Sequence, residues 1–305
     1  MAAKDVGVYC EIGERTTYDT YVLFPNTHCL DRNFIYGQLL EYTERMKTDP
    51  TAEKTAVNFF ESCLIGEGDL HYNYPGSQQK GLLPPGFSSE DFNIAVFSSS
   101  EHEFAVDLDW ANPLFETQAV GIKYLAENIP RDRKIHIYLR IHPSLRGLNS
   151  SQEKRLLALS GTPHVTVIPA DSPIQSYALL GACDNTVTFG STIGIEAVFW
   201  GKPSILAGNA FYAPLDACYK PKTREEFLAL CFSKLEPKPR ELALPYPYWY
   251  ITRNRPFEFI SPQNPKKGNA PTFHGQNIMG IPKWLSRLNH LFFRIGKFIE
   301  LRRIA

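Results

Sequence analysis

Val187–Ser204, VTFGSTIGIEAVFWGKPS, decides how this chain is read. Val187, Thr188 and Phe189 favour a strand, because β-branched and aromatic side chains suit a pleated surface. Gly190 permits a sharp turn and a close backbone approach. Ser191 and Thr192 are residue types that cap a helix. After them Ile193, Ile195, Ala197, Val198 and Phe199 supply a buried packing face. Gly201 ends that helix, Lys202-Pro203 turns the chain, and Ser204-Ile205-Leu206 opens another strand. The start of such a helix offers backbone N–H groups, the positive end of the dipole and two hydroxyls, a setting that holds an anion. Glu196 lies about one turn further on, within reach of a ribose diol. Any α/β domain has capped helices after strands, so this stretch alone leaves phosphate binding and plain capping open. No Gly-Lys-Ser/Thr follows a spaced glycine, and G-x-G-x-x-G is absent.

Working outward, residues from Asn93 onward alternate strands and helices. Asn93–Ser98 reads as a buried strand running into Ser99, Ser100 and Glu101. Leu114–Asn128 reads as a helix, Lys134–Ile141 as a strand ending in His142-Pro143, and Ser151–Leu159 as a helix. Val165–Ile168 is a strand, Pro173–Ala182 a helix, Thr186–Phe189 a strand and Glu225–Ser233 a helix. This alternation implies a parallel sheet with helices on both faces, and ligands of such sheets sit at the carboxyl ends of the strands. Three strand ends then converge: Ser98-Ser99-Ser100, Arg140-Ile141-His142-Pro143 and Gly190-Ser191-Thr192.

The flanks are less regular. Val6–Glu11 reads as a strand, and Asn33–Lys47 and Ala52–Leu64 as helices, the second with Ala56, Phe59, Phe60 and Cys63 at helical spacing. Gly66–Glu90 is rich in Gly, Pro, Ser and Asn and reads as a loop. Residues 234–280 are rich in Pro, Tyr and Asn. Their PYPYWY at 245–250 reads first as packing and second as a platform for an acceptor sugar. At the end of the chain Trp284, Leu288, Leu291, Ile295 and Phe298 recur at steps of three and four. Lys283, Arg287, Arg294, Lys297, Arg302 and Arg303 fall mostly elsewhere, against Glu300. Residues 283–305 thus form a basic amphipathic helix, suited to an anionic bilayer surface or to a protein groove.

Bulk properties narrow the classes. The 305 residues are 43% hydrophobic, ample for a core, and carry no net charge, so no global field favours nucleic acid. Cys10, Cys29, Cys63, Cys183, Cys218 and Cys231 include no C-x-x-C pair and read as free thiols. No secretory leader and no apolar run of about 20 residues is visible, and a cytoplasmic protein, peripheral at the inner face of the plasma membrane, is expected. Neither G-x-S-x-G nor H-E-x-x-H occurs, which removes the support for a hydrolase.

RIHP at 140–143 and TFGSTIGIEAVFWGKPS at 188–204 together resemble the bacterial capsular polysaccharide biosynthesis proteins, GT-B-type glycosyltransferases related to the Kdo and sialic acid transferases. FSSSEHEF at 97–104 is similar to the first strand and turn of that family's C-terminal domain. The resemblance spans about residues 93–255. It implies a GT-B-like α/β fold: a Rossmann-like parallel-sheet donor domain over 91–255, a short or incomplete N-terminal acceptor-side region over 1–90, and a tail over 256–305. It implies that His142 and Pro143 contact the nucleotide, Ser191 and Thr192 the donor phosphate, and Glu196 the ribose. Ser99, Ser100, Arg140 and Gly190 complete the expected donor side. Arg140 either shares the site or pairs with an acid.

The expected reaction moves a sugar from a CMP- or UDP-linked donor to a glycan or lipid-linked glycan, without a cofactor and without a metal. Asp107-Leu108-Asp109 has D-x-D spacing but reads as a loop leading into a helix. The family's acceptor-side domain often supplies the catalytic base. Only about 90 residues precede Asn93, and Glu14 and Asp19 are the candidates there. Two other readings remain: a CDP-alcohol-dependent polyol-phosphate transferase, and a non-catalytic nucleotide-binding scaffold.

Overall fold

The computed structural model describes residues 9–16, 20–66, 78–103, 107–258, 260–261, 272–273 and 276–277. These fall into two compact units. One contains Phe24–Arg253; the other contains Gly13–Leu23 and residues from Asn254 onward. The first strand, β1, is Glu11–Arg15, so it begins where the expected Val6–Glu11 strand was to end; Val6–Val8 lie outside the described residues. Strand β2 is Thr20–Pro25, and helices α1 (Arg32–Met46) and α2 (Ala52–Ile65) follow. Asp31 caps α1 by accepting from the Phe34 amide at 2.9 Å. Gly66, with φ 68°, closes α2.

The main sheet has five strands: β3 (Phe92–Phe97), β4 (Ile135–Arg140), β5 (Val165–Ile168), β6 (Asn185–Thr188) and β7 (Ser204–Leu206). Their order is β5-β4-β3-β6-β7, and every neighbouring pair is parallel. The linking helices are α3 (Gln118–Glu127), α4 (Ser151–Leu157), α5 (Ser176–Ala182) and α6 (Ile193–Phe199), with α7 (Arg224–Phe232) after the last strand. Strand side chains alternate between faces. Ile94, Val96, Ile137, Leu139 and Val187 pack with Ile122, Leu125 and Phe227. Ala95, Phe97, Tyr138 and Ile168 pack with Leu179, Leu180 and Ala197. Burial on both sides is what the expected parallel sheet requires.

Two helices start later than their apolar pattern suggests. The helix expected from Leu114 begins at Gln118, because the Asn112 side chain accepts from the Leu114 and Phe115 amides at 2.8 and 2.9 Å. The Thr117 hydroxyl then caps the helix through the Val120 amide. The helix expected from Pro173 begins at Ser176, because Pro173 and Gln175 spend their backbone groups on Gln79 and Leu82.

A third hydrophobic cluster joins α1 and α2 to α6 and to helix α8 (Pro245–Thr252), the PYPYWY stretch. The Phe60 and Phe199 rings stack with centroids 4.1 Å apart. Trp249 is fully buried, and its indole N–H donates to Gln38 at 2.9 Å. In the second unit, β8 (Arg255–Pro256) pairs antiparallel with Thr20 and Tyr21. Strands β9 (Ile260–Ser261), β10 (Thr272–Phe273) and β11 (Gln276–Asn277) form a small antiparallel sheet. The expected amphipathic helix at 283–305 lies outside the described residues, as do residues 67–77 of the Gly66–Glu90 loop.

Two glycines let the ends of β6 and β7 touch. Gly190 has φ +148°, and a Cβ there would sit 2.7 Å from the Asn209 carbonyl oxygen; a Cβ at Gly208 would overlap the Phe189 carbonyl. Neither neighbour is a flexible side chain. Gly208→Ala should therefore destabilise the fold by about 1–3 kcal/mol, the usual range for overpacking, and lower the thermal midpoint by several degrees. An unchanged midpoint by calorimetry would show that this turn yields.

Candidate functional site

In the order β5-β4-β3-β6-β7, connections leave β3 and β6 toward opposite sides, and α/β sheets open a ligand crevice at that switch. A cleft of about 410 Å³ opens there. Every donor-side residue named from the sequence lines it: Ser99, Ser100, Arg140, His142, Pro143, Gly190, Ser191, Thr192 and Glu196. His142 and Ser191, 49 positions apart in sequence, thus face one cavity.

The floor is tied together by hydroxyls and amides. Ser98, at the end of β3, accepts from the His142 amide at 2.9 Å. Ser99 is gripped by two buried glutamines: Gln118 accepts from its amide at 2.9 Å, and Gln118 and Gln152 donate to its carbonyl at 3.0 and 2.7 Å. The expected hydroxyl cap on α6 is not made. Thr192 already has helical angles, and its side chain caps no amide. Thr188 acts instead: its hydroxyl accepts from the Ser191 amide at 2.9 Å and the Gly190 amide at 3.3 Å. The Gly190 turn places those two amides over the strand residue that precedes it, so they are taken. The Thr192 hydroxyl bonds to Glu196.

His142 accepts at Nδ1 from the Ser144 amide at 3.2 Å, which puts the neutral ring's proton on Nε2. Burial, and then the nearby Arg140 charge, hold its pKa down to about 4. Arg140 is 2% exposed. Its guanidinium donates to the Pro169 carbonyl, to the Ser172 carbonyl at 3.2 Å and to the Ser176 hydroxyl at 3.4 Å. Among the described residues no carboxylate makes an ion pair with it, so the alternative of a paired acid is not what this side chain does. Burial lowers its pKa to about 10, against the pull of Asp171, and it stays charged at neutral pH. Glu196, also buried, accepts from the Tyr177 hydroxyl. Burial raises its pKa, partly offset by the bonds from Tyr177 and Thr192.

The opposite wall was not read from the motifs. Phe59 and Cys63 of α2, Tyr177 of α5, Phe211 and Tyr212 after β7, and Tyr246 and Tyr250 of α8 all line the cleft. PYPYWY was the one visible signal; its role is packing first, with two rings reaching the cavity. Glu103 is a further carboxyl on the lining, and burial raises its pKa. Glu14 lies exposed on β1 in the second unit, and Asp19 lies outside the described residues. Asp107 caps a short 3₁₀ turn at Leu108–Trp110 by accepting from the Asp109 amide at 2.9 Å, the helix-leading loop that the sequence suggests. All six cysteines are free thiols. No helix among the described residues is long and apolar enough to cross a membrane.

A five-stranded parallel sheet with its cleft at the switch point defines the class as Rossmann-like α/β. Within it, residues 115–216 match the family described as capsule polysaccharide biosynthesis protein. That span holds both RIHP and TFGSTIGIEAVFWGKPS, and the resemblance drawn from them is borne out. The fold is also that of a solved Kdo transferase, Thermosulfurimonas dismutans KpsC, beta Kdo 2,4 transferase. The two are 16% identical, with a TM-score of 0.53 over 89% of this chain and 78% of that one. The beta Kdo 2,7 transferase of the same KpsC matches at 17% identity and TM-score 0.46, over 78% and 68% of the two chains. Anabaena Alr3699/HepE, solved in complex with UDP and glucose, matches at 15% identity and TM-score 0.32, over 53% and 43%. A comparison with curated protein sequences finds no significant match.

The depressed His142 pKa has a defined sign. Between pH 6.5 and about 4 the unfolded chain binds the proton and the folded chain does not, so stability falls as the pH drops through that window, by up to about 3 kcal/mol. His142→Gln should flatten this part of the stability curve measured by urea unfolding at a series of pH values. Parallel curves for the two proteins would show that another group titrates.

Proposed function

We propose that this chain is a glycosyltransferase of capsular or lipopolysaccharide biosynthesis, taking a sugar from a CMP- or UDP-linked donor to a glycan or lipid-linked glycan. One observation carries the reading: three strand ends, far apart in sequence, deliver His142, Ser99-Ser100 and Gly190-Ser191-Thr192 to one cleft at the switch point. The match of residues 115–216 to the capsule family supports the pathway.

Transfer needs the leaving phosphate stabilised and the acceptor hydroxyl deprotonated. For the first, the neutral His142 ring donates from Nε2 and the Ser191 hydroxyl lines the same cleft, while the Thr192 hydroxyl already donates to Glu196. The buried Arg140 charge adds a favourable field in a cleft of low dielectric. Glu196 takes the ribose diol. For the second, the sequence offers Glu14 and Asp19, and the cleft offers Glu103, whose raised pKa moves it toward the range suited to accepting a proton. No cofactor enters this scheme. The basic amphipathic stretch 283–305 suits a station at the inner face of the plasma membrane, where a lipid-linked acceptor is found.

Calorimetric titration with cytidine and uridine mono- and diphosphates tests the donor site. At least one should bind, and His142→Ala and Glu196→Ala should each weaken it about tenfold or more, the effect of losing a charge-assisted contact. Unchanged affinity in both variants would remove the donor assignment. Glu103→Gln, Glu14→Gln and Asp19→Asn then separate the bases: the true one abolishes transfer and leaves nucleotide affinity intact. Binding with no transfer to any glycan acceptor would favour the scaffold.

A further inference from the structure

Arg140 was expected to touch the donor, yet its donors are directed elsewhere. The guanidinium fork reaches three acceptors on one short segment: the carbonyls of Pro169 and Ser172 and the hydroxyl of Ser176. This segment follows β5 and runs straight into α5, whose second residue is Tyr177. The Tyr177 hydroxyl donates to Glu196, and both side chains line the cleft. The outer side of the segment is stapled as well: Gln79 donates to the Pro173 carbonyl at 2.8 Å, and the Ser176 amide donates to the Gln78 side chain at 2.8 Å. A continuous chain of contacts therefore leads from the end of β4, through the 169–176 segment, to the carboxyl on α6.

We propose that Arg140 is a positioning residue: by holding the 169–176 segment it sets Tyr177 against Glu196 and so fixes the carboxyl for a ribose diol. Glu196 has two oxygens and about four lone-pair directions. Tyr177 and Thr192 engage some of them and orient the group, and the others remain for a ligand in the cleft that Glu196 lines. An unrestrained Glu side chain loses rotamer freedom when it binds; this one has lost it already. The inference rests on the donor-site reading above and goes beyond it. It assigns Arg140 to the nucleoside end of the ligand through Glu196, where the sequence offered only a shared site or a paired acid.

The two roles part in one experiment. Arg140→Lys keeps a positive charge but loses the planar fork that spans three acceptors. Wild type, Arg140→Lys, Tyr177→Phe and the double variant are titrated with cytidine, CMP and CDP, and with uridine, UMP and UDP. Positioning predicts that Arg140→Lys weakens nucleoside and nucleotide by the same factor, about fivefold to tenfold, as for one well-formed hydrogen bond lost. It also predicts that adding Tyr177→Phe costs little more, because both changes break one chain of contacts. Direct phosphate contact predicts that nucleoside affinity is untouched, that losses grow with phosphate count, and that the two changes multiply; that pattern overturns the proposal. Should Arg140→Lys fail to fold by circular dichroism, Ser176→Ala replaces it. It removes one acceptor of the fork without stranding a charge, and carries the same two expectations in weaker form. A wild-type protein that binds none of the six ligands fails the donor-site reading itself, a different outcome from additive losses in a protein that binds.

Discussion

Parallel pairing of β3 with β6 is the constraint on which the rest of this structure depends. Those two strands lie side by side, registered from Ile94 against Asn185 to Phe97 against Thr188, while their chains leave for opposite faces. Helices cannot cover the gap between departing chains, so a crevice remains at the carboxyl end. Everything chemically interesting in the molecule is a consequence of what the strand ends carry into that crevice. Ser98 and Thr188, both buried, close their strands by accepting backbone amides: Ser98 from His142 beyond the neighbouring β4, Thr188 from the turn beyond β6 itself.

A cavity lined by buried polar groups is costly unless each finds a partner. The partners here are local and ordered. Two glutamines hold the Ser99 backbone, Ser144 orients the His142 ring, and three acceptors surround Arg140. Glu196 has Tyr177 and Thr192. The same burial tunes the charges. The imidazole is kept neutral and the carboxyl of Glu196 is pushed toward protonation, while Arg140 keeps its charge because its pKa starts so high.

Aromatic packing completes the cavity from outside the sheet. α1, α2 and α8 share a core with α6, so the helix that bears Glu196 is clamped between the sheet and a layer of rings. Tyr246 and Trp249 belong to that core, and Tyr250 and Phe59 reach the cleft from it. An element that reads in sequence as irregular and proline-rich is in fact a short buried helix. Pro245 sits at its first position, where the missing amide is no loss.

The sequence by itself determined the alternation of strands and helices, the parallel sheet and the strand-end motifs, because these follow from local periodicity and turn chemistry. RIHP and GST landed where sheet topology puts strand ends, and no long-range information was needed to name them. Tertiary structure alone decided which backbone groups those motifs spend and which side chains face them. Thr188, not Ser191 or Thr192, takes the turn amides; Arg140 grips a neighbouring segment; Tyr177, Tyr246 and Cys63 form a wall. Apart from the Thr188 turn, which spans two or three residues, such pairings join residues tens to nearly two hundred positions apart. Their partners are chosen by burial and by how closely two glycines let the β6 and β7 turns approach, and neither quantity has a local signature in the chain.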